Sequence, residues 1–454
     1  MVDEKFEFTG GTKRNLLIFI AVGVLFTIIG IFSVSSGGHH DDHGSHEAEM
    51  HQHDGGELHS HAKGASEAHG DHETGEEEHH GSATWLKRVF ANLWINNVFF
   101  AGLALIGVFF FALQYAAQAG WSAGLKRIPL AFGAWLPYAG ILMIIVFAFG
   151  GHDLFHWTHA SLYLPLDQGG DEIIQGKSAF FFWPLDGGST PIFFIARMII
   201  FFAVWYVLFL KLKAVALSED VDGGTDKWYK MRKLSAIFIL FFAVSSSISA
   251  WDWVMSIDAH WFSTMFGWYM FASWWVSGLA LIAFIVVLLK DKGYLSVVNS
   301  NHLHDIGKFM FAFSIFWTYV WFSQFLLIYY AHIPEETIYF VERWKSDQYS
   351  PLFFLNLIVN FFLPFLILMP RDSKRHSRIL KVAAPIIIIG HWLDFYLMIT
   401  PGTMKENGGF GFLELGLMFV YAGAFIFVVL NQLSKVPLFA KNHPMLKESL
   451  HHHI

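Results

Sequence analysis

The stretch 245–264, SSSISAWDWVMSIDAHWFST, decides how the chain is read. An apolar run enters it from Leu234 and carries Ser245, Ser249, Asp252 and Ser256 at its end. Intervals of four, three and four place these side chains on one helical stripe. Asp252 lies between Trp251 and Trp253, and Asp258, His260 and Trp261 follow at once. A carboxylate in an apolar helix costs on the order of 3 kcal/mol in a bilayer unless it faces protein, water or a partner. Tryptophans favour the membrane–water boundary. The stretch therefore reads as a helix end with a buried acid just below a membrane surface. Asp252 is either a hydrogen-bonded structural residue or a proton-handling or quinone-facing one, and the other helices have to decide.

Of 454 residues, 54% are hydrophobic, 18% aromatic and 15% charged, against about 25% charged in ordinary soluble domains. Mean hydropathy is +0.44. The fold class expected is all-α, a polytopic integral membrane protein. There is no cysteine, which removes disulfides, thiolate-held clusters, covalent c-type haem and thiol catalysis. No phosphate-binding glycine loop stands out, and a net charge of −7 gives no footprint for nucleic acid.

Apolar segments fall at about 15–35, 97–119, 129–150, 190–210, 234–255, 264–289, 309–330, 352–369, 379–400 and 410–433, ten in all. The first has a longer apolar run than a signal peptide and no small-residue cleavage motif, so residues 1–36 read as an uncleaved anchor. Residues 37–82 form a low-complexity insert with twelve histidines, twelve acids and Lys63 as its single base. Such a composition cannot bury enough apolar surface to fold. It reads either as a solvated spacer or as a metal-capturing or pH-buffering segment. Residues 83–434 are the helical membrane domain and 435–454 a tail. With the N-terminus inside, 22 of the 30 Lys and Arg fall on inner loops, so both termini are expected in the cytoplasm and the insert outside.

Ionisable residues in or at the spans are His152, Asp153, His156, Arg197, Asp252, Asp258, His391, Asp394 and Glu414. His152 and His156 are i,i+4 and would share a face. With ten spans these groups gather in the outer half of the membrane, while the inner half offers mostly Asn360, Ser314 and snorkelling bases. A group sharing one low-dielectric region would have coupled protonation equilibria. Singly, each also has a structural reading: Arg197 as the counter-ion of one of the acids, His391 as a hydrogen-bonded core histidine, Glu414 at the headgroups. Only His391 lies deep, which speaks against bis-histidine haem.

WDWVMSIDAHWFSTMFGWY at 251–269, GHDLFHW at 151–157, GHWLDFYLMITPG at 390–402 and GFLELG at 411–416 resemble the NrfD-like, polysulfide-reductase membrane-subunit family. Most closely they resemble the F-type membrane subunits of bacterial alternative complex III, a quinol:electron-acceptor oxidoreductase. The resemblance covers about residues 91–433. It implies two four-helix bundles, spans two to five and six to nine, with one flanking helix at each end. It also implies a respiratory complex of the bacterial inner membrane. The partners would be a paralogous C-type membrane subunit, an iron–sulfur subunit and c-type cytochrome subunits, with lipids around them. It implies His152, Asp153 and Asp252 as quinone-binding candidates, for menaquinone or ubiquinone, and His156 joins them by its spacing from His152. The candidate proton-transfer residues are Arg197, Asp252, Asp258, His391, Asp394 and Glu414. The expected role is quinone and proton handling and assembly, without a covalently bound cofactor, a catalytic residue or a metal site of its own. Two other readings stay open: a metal-ion transporter fed by the His-rich insert, and a structural membrane scaffold.

Overall fold

The structure, a computed structural model, describes residues 4–37 and 84–453. The His-rich insert lies outside the described residues from residue 38 onward. Among the described residues ten helices are long and apolar enough to cross a membrane: α1 (Gly10–Ser36), α2 (Thr84–Ala116), α3 (Arg127–Leu154), α4 (Ile192–Val221), α5 (Asp226–Ile257), α6 (Phe266–Asp291), α7 (Ser300–Ala331), α8 (Ser350–Leu368), α9 (Ser377–Asn407) and α10 (Phe412–Leu433). Each coincides with one expected segment. The largest shift is at α2, which begins thirteen residues before the expected start at 97. Lys87 and Arg88, expected in a loop, therefore sit in its first two turns. Among the described residues the only β-pairing is an isolated antiparallel bridge between Lys5 and Pro437. That bridge, with Leu438 N–H donating to the Glu4 carbonyl at 3.0 Å, puts both ends of the chain on one face, called here the terminal face.

α2 and α6 form the centre, each 89% buried over its most apolar stretch. α2 packs on α3, α3 on α4, α4 on α5, and α5 returns to α2. α6, α7, α8 and α9 close a ring in the same way, and α2 also meets α6 and α9. α1 lies outside, held along α10 and exposing Leu17, Leu25 and Phe32. Exposed apolar side chains of this kind are what hydrocarbon solvates. Small residues set the closest approaches. A methyl group on Gly102 would overlap the Trp274 indole, and one on Gly30 the Leu413 backbone.

Helix irregularities follow local sequence. α7 starts in a capping box: Asn299 Oδ1 accepts from Asn301 N at 2.8 Å and His302 N at 3.3 Å, and His302 Nδ1 accepts from Asn299 N at 3.1 Å. In α8, Pro364 has no N–H for the Asn360 carbonyl. The helix widens there into a π turn over Ile358–Phe362. The turn buries Asn360, whose amide donates to Asn356 Oδ1 at 2.6 Å. Between α7 and α8 an amphipathic helix, Pro334–Trp344, caps the face opposite the termini.

Candidate functional site

The polar groups expected to share one pocket are divided among four places, all in the half of the molecule away from the termini. Asp252, on the last turn of the α5 helix, takes a two-pronged bond from Arg197 of α4: Nε to Oδ2 at 2.8 Å and Nη2 to Oδ1 at 2.7 Å. The guanidinium is sandwiched by Phe180 and Phe193 at 4.3 and 4.4 Å. The serine stripe is buried as its spacing implied. However, Ser245, Ser249 and Ser256 each donate back to a carbonyl one turn earlier. Ser256 thus reaches the Asp252 carbonyl, but among the described residues none of the three bonds its carboxylate.

Asp394 is the meeting point of the second ring. Its carboxylate accepts from Tyr269 Oη, from Ser273 Oγ at 2.9 Å, from Trp317 Nε1 at 2.9 Å and from Asn356 Nδ2 at 3.0 Å. Those donors come from α6, α7 and α8, and Asp394 itself from α9. His391, one turn earlier, is fully buried, and its Nδ1 lies 3.0 Å from Ser273 Oγ. Its Nε2 is buried without a hydrogen-bond partner. Among the described residues this network and Arg197–Asp252 share no residue.

Asp258 faces Arg343 of the capping helix, with Nη2 to Oδ2 at 2.9 Å. Arg343 also donates to the carbonyls of Leu397, Tyr339 and Met398 at 2.8, 2.7 and 3.1 Å. It lies 3.4 Å from the Tyr339 ring centre, and Trp261 stacks on that ring's other side at 3.8 Å. Glu414, in the first turn of α10, is fully buried inside the protein. Arg88 binds it through Nε at 2.7 Å and Nη2 at 2.9 Å, Asn92 at 3.0 Å and the Gly411 N–H at 2.7 Å. Arg88 and Arg343 both fall outside the apolar segments that hydropathy picks out. The i,i+4 pair Arg88 and Asn92 was the readable sign that a polar stripe continued there.

A cleft of about 530 Å³ opens on the face away from the termini. Asp153, His156 and Asp258 line it, with Lys87, His159, His260, Glu342 and Lys405. Of the nine expected residues, then, three are at the cleft. His152 is exposed beside it, its ring 4.0 Å from that of His159. The α3 helix ends at Leu154, so helical periodicity does not carry from His152 to His156. Instead His159 sits between them, 5.4 Å from His156. Partial burial, with Lys405 nearby, holds the His156 imidazole below its ordinary pKa. Burial and the Asp258 carboxylate hold Glu342 above the usual carboxylate range. His260 Nε2 lies 2.5 Å from Asp171 Oδ2. Tyr339 lines both this cleft and a second cavity of about 20 Å³, room for about one water, whose walls include Arg343, Asn356 and Asp394.

The terminal face is richer than expected. Tyr115 Oη donates to Glu219 Oε2 at 2.8 Å, and Arg127 pairs with Asp220 at 2.6 Å. The buried Lys126 ammonium stands 3.8 Å over the Tyr115 ring. Burial drives that ammonium well below the usual lysine value, against the pull of Glu219. His443 of the tail packs on Tyr115, and its imidazole is held down to about 3 by burial and by Lys126 and Arg127. These bases sit at loop positions where hydropathy reads them as snorkelling. Their burial comes from the tail folding back over them.

Among the described residues no three His, Cys, Asp or Glu side chains are placed to hold a metal ion. No protein-family model and no curated protein matches this chain.

Proposed function

We propose that this chain is the membrane subunit of a quinol-oxidising respiratory complex, contributing quinone and proton handling and assembly at the face away from the termini. Two things support the reading. One is the likeness of 251–269 and 390–402 to NrfD-like membrane subunits. The other, which carries it, is the cleft: titratable groups of both signs and three imidazoles surround a space open to one face. Tyr339 lines both that space and the small cavity whose walls include Arg343 and the buried Asp394. A wet cleft backed by a protonatable group inside hydrocarbon is what delivery or removal of a proton at a quinone ring requires. The Lys and Arg bias supports a cytoplasmic terminal face, and the resemblance implies a bacterial inner membrane. Menaquinone or ubiquinone would be the substrate, with iron–sulfur, cytochrome c and paralogous membrane subunits as partners.

The scaffold reading has its own observation, that Asp252, Asp258, Asp394 and Glu414 each already have a protein partner. Asp153 and His156 separate the two, because they line the cleft and, among the described residues, neither side chain makes a hydrogen bond. Asp153→Asn with His156→Gln should slow quinol-dependent electron transfer of the purified assembly at least about tenfold, with its subunit composition unchanged. Wild-type turnover in that variant, or an assembly with neither iron–sulfur nor haem subunits, would sink the quinol reading.

A further inference from the structure

A second cavity, of about 720 Å³, lies on the terminal face and has no part in the reading above. It is lined by Ala116 at the end of α2 and by Tyr229, Lys230, Arg232, Lys233 and Ala236 on the first turns of α5. Three cations within four residues repel one another. Among the described residues no ion pair is formed by any of the three, and the Arg232 guanidinium rests on the Trp228 ring at 4.8 Å. Asp226 is the one acid in the first turn of the helix.

Above the cations the same helix face stays open. Tyr229, Lys233, Ile237, Leu240 and Val244 follow one another at intervals of four, four, three and four and share a stripe. Ile237, Leu240 and Val244 are 55%, 72% and 58% exposed. From Lys233 to Val244 the helix rises about 16 Å, close to half of the roughly 30 Å hydrocarbon core. Charge is thus concentrated at one end of a track one leaflet long, with interfacial aromatics beside the charge.

From this we propose that the groove is a binding site for an anionic phospholipid of the leaflet on the terminal face. The phosphate sits against Lys230, Arg232 and Lys233, and the acyl chains lie along Ile237, Leu240 and Val244. A zwitterionic lipid offers the same tails but brings its own cation to the groove. Free phosphate offers the charge without the tails.

The test uses the full chain purified in a neutral detergent, with lipid binding read by native mass spectrometry. Dioleoylphosphatidylglycerol should be retained in preference to dioleoylphosphatidylcholine, and the preference should collapse as salt rises to several hundred millimolar. Lys230→Gln with Lys233→Gln should weaken phosphatidylglycerol binding about tenfold and leave phosphatidylcholine unchanged. Leu240→Ser with Val244→Ser should weaken both lipids. Equal retention of the two lipids by the wild-type chain overturns the proposal without any variant. So does a salt-independent preference, or competition by inorganic phosphate as effective as by the lipid. Because turnover is not measured, failure here leaves the quinol reading untouched, and failure of that reading leaves this one standing.

Discussion

At the scale of the residue, the protein handles charge in hydrocarbon by pairing it twice over. Arg197 and Asp252 share two hydrogen bonds in a site with almost no solvent contact. Removing one member leaves the other buried and uncompensated, at a cost of about 3–5 kcal/mol. Asp252→Asn should therefore lower the thermal midpoint and the yield of assembled protein before any effect on turnover is read. Arg197→Met with Asp252→Leu should recover most of the loss. A double variant no better than the single would argue that the pair does more than cancel itself. His443 gives a pH signature. In the fold its imidazole is held near a pKa of about 3, whereas an unfolded chain takes up the proton below about 6.5. Only the unfolded state gains the proton between those values, so stability falls as pH drops. The loss is about 2 kcal/mol between pH 7 and pH 5. His443→Asn should flatten the dependence of the unfolding midpoint on pH across that window. An unchanged slope would show that other groups dominate acid sensitivity.

At the scale of the element, glycines decide which helices touch. Gly30 meets the Leu413 backbone, Gly416 meets Thr27, and Gly423 meets Ile20, so α1 and α10 pack with little side chain between them. α1 has few other contacts and faces lipid over most of its surface. Because the chain has no cysteine of its own, the contact can be trapped directly. Phe19→Cys with Phe419→Cys, whose rings lie 5.1 Å apart, should crosslink with a short bismaleimide. Adding Gly416→Leu should abolish the crosslink. Persistence of the crosslink would mean α1 is held by something other than this seam. The periodicity of the capping helix Pro334–Trp344 is equally readable, but its consequence is not. Arg343 reaches Asp258 and the carbonyls of Leu397 and Met398 across gaps of more than fifty residues, and no spacing rule joins them.

At the scale of the whole molecule, ten spans put both termini on one face, and the bridge from Lys5 to Pro437 closes that face. If the terminal face is cytoplasmic, a cysteine at Glu335 in intact cells should react with a membrane-impermeant maleimide. One at Lys292 should react only after the membrane is opened. The reverse pattern would invert the orientation drawn from Lys and Arg. The amino-acid order alone determined the helical class, the number of spans and the polar stripe at Ser245–Ser256, because hydrocarbon forces each spanning segment to satisfy its backbone locally and to show its apolarity in a continuous run. It also marked Arg197 and Asp394 as residues needing company. Only the tertiary structure decided whose company. It split one imagined pocket into separate networks, brought Arg88 to Glu414 and Arg343 to Asp258, and folded the tail over Lys126. Those pairings link residues from about forty to more than three hundred positions apart, where neither periodicity nor composition carries information and packing alone sets which charges meet.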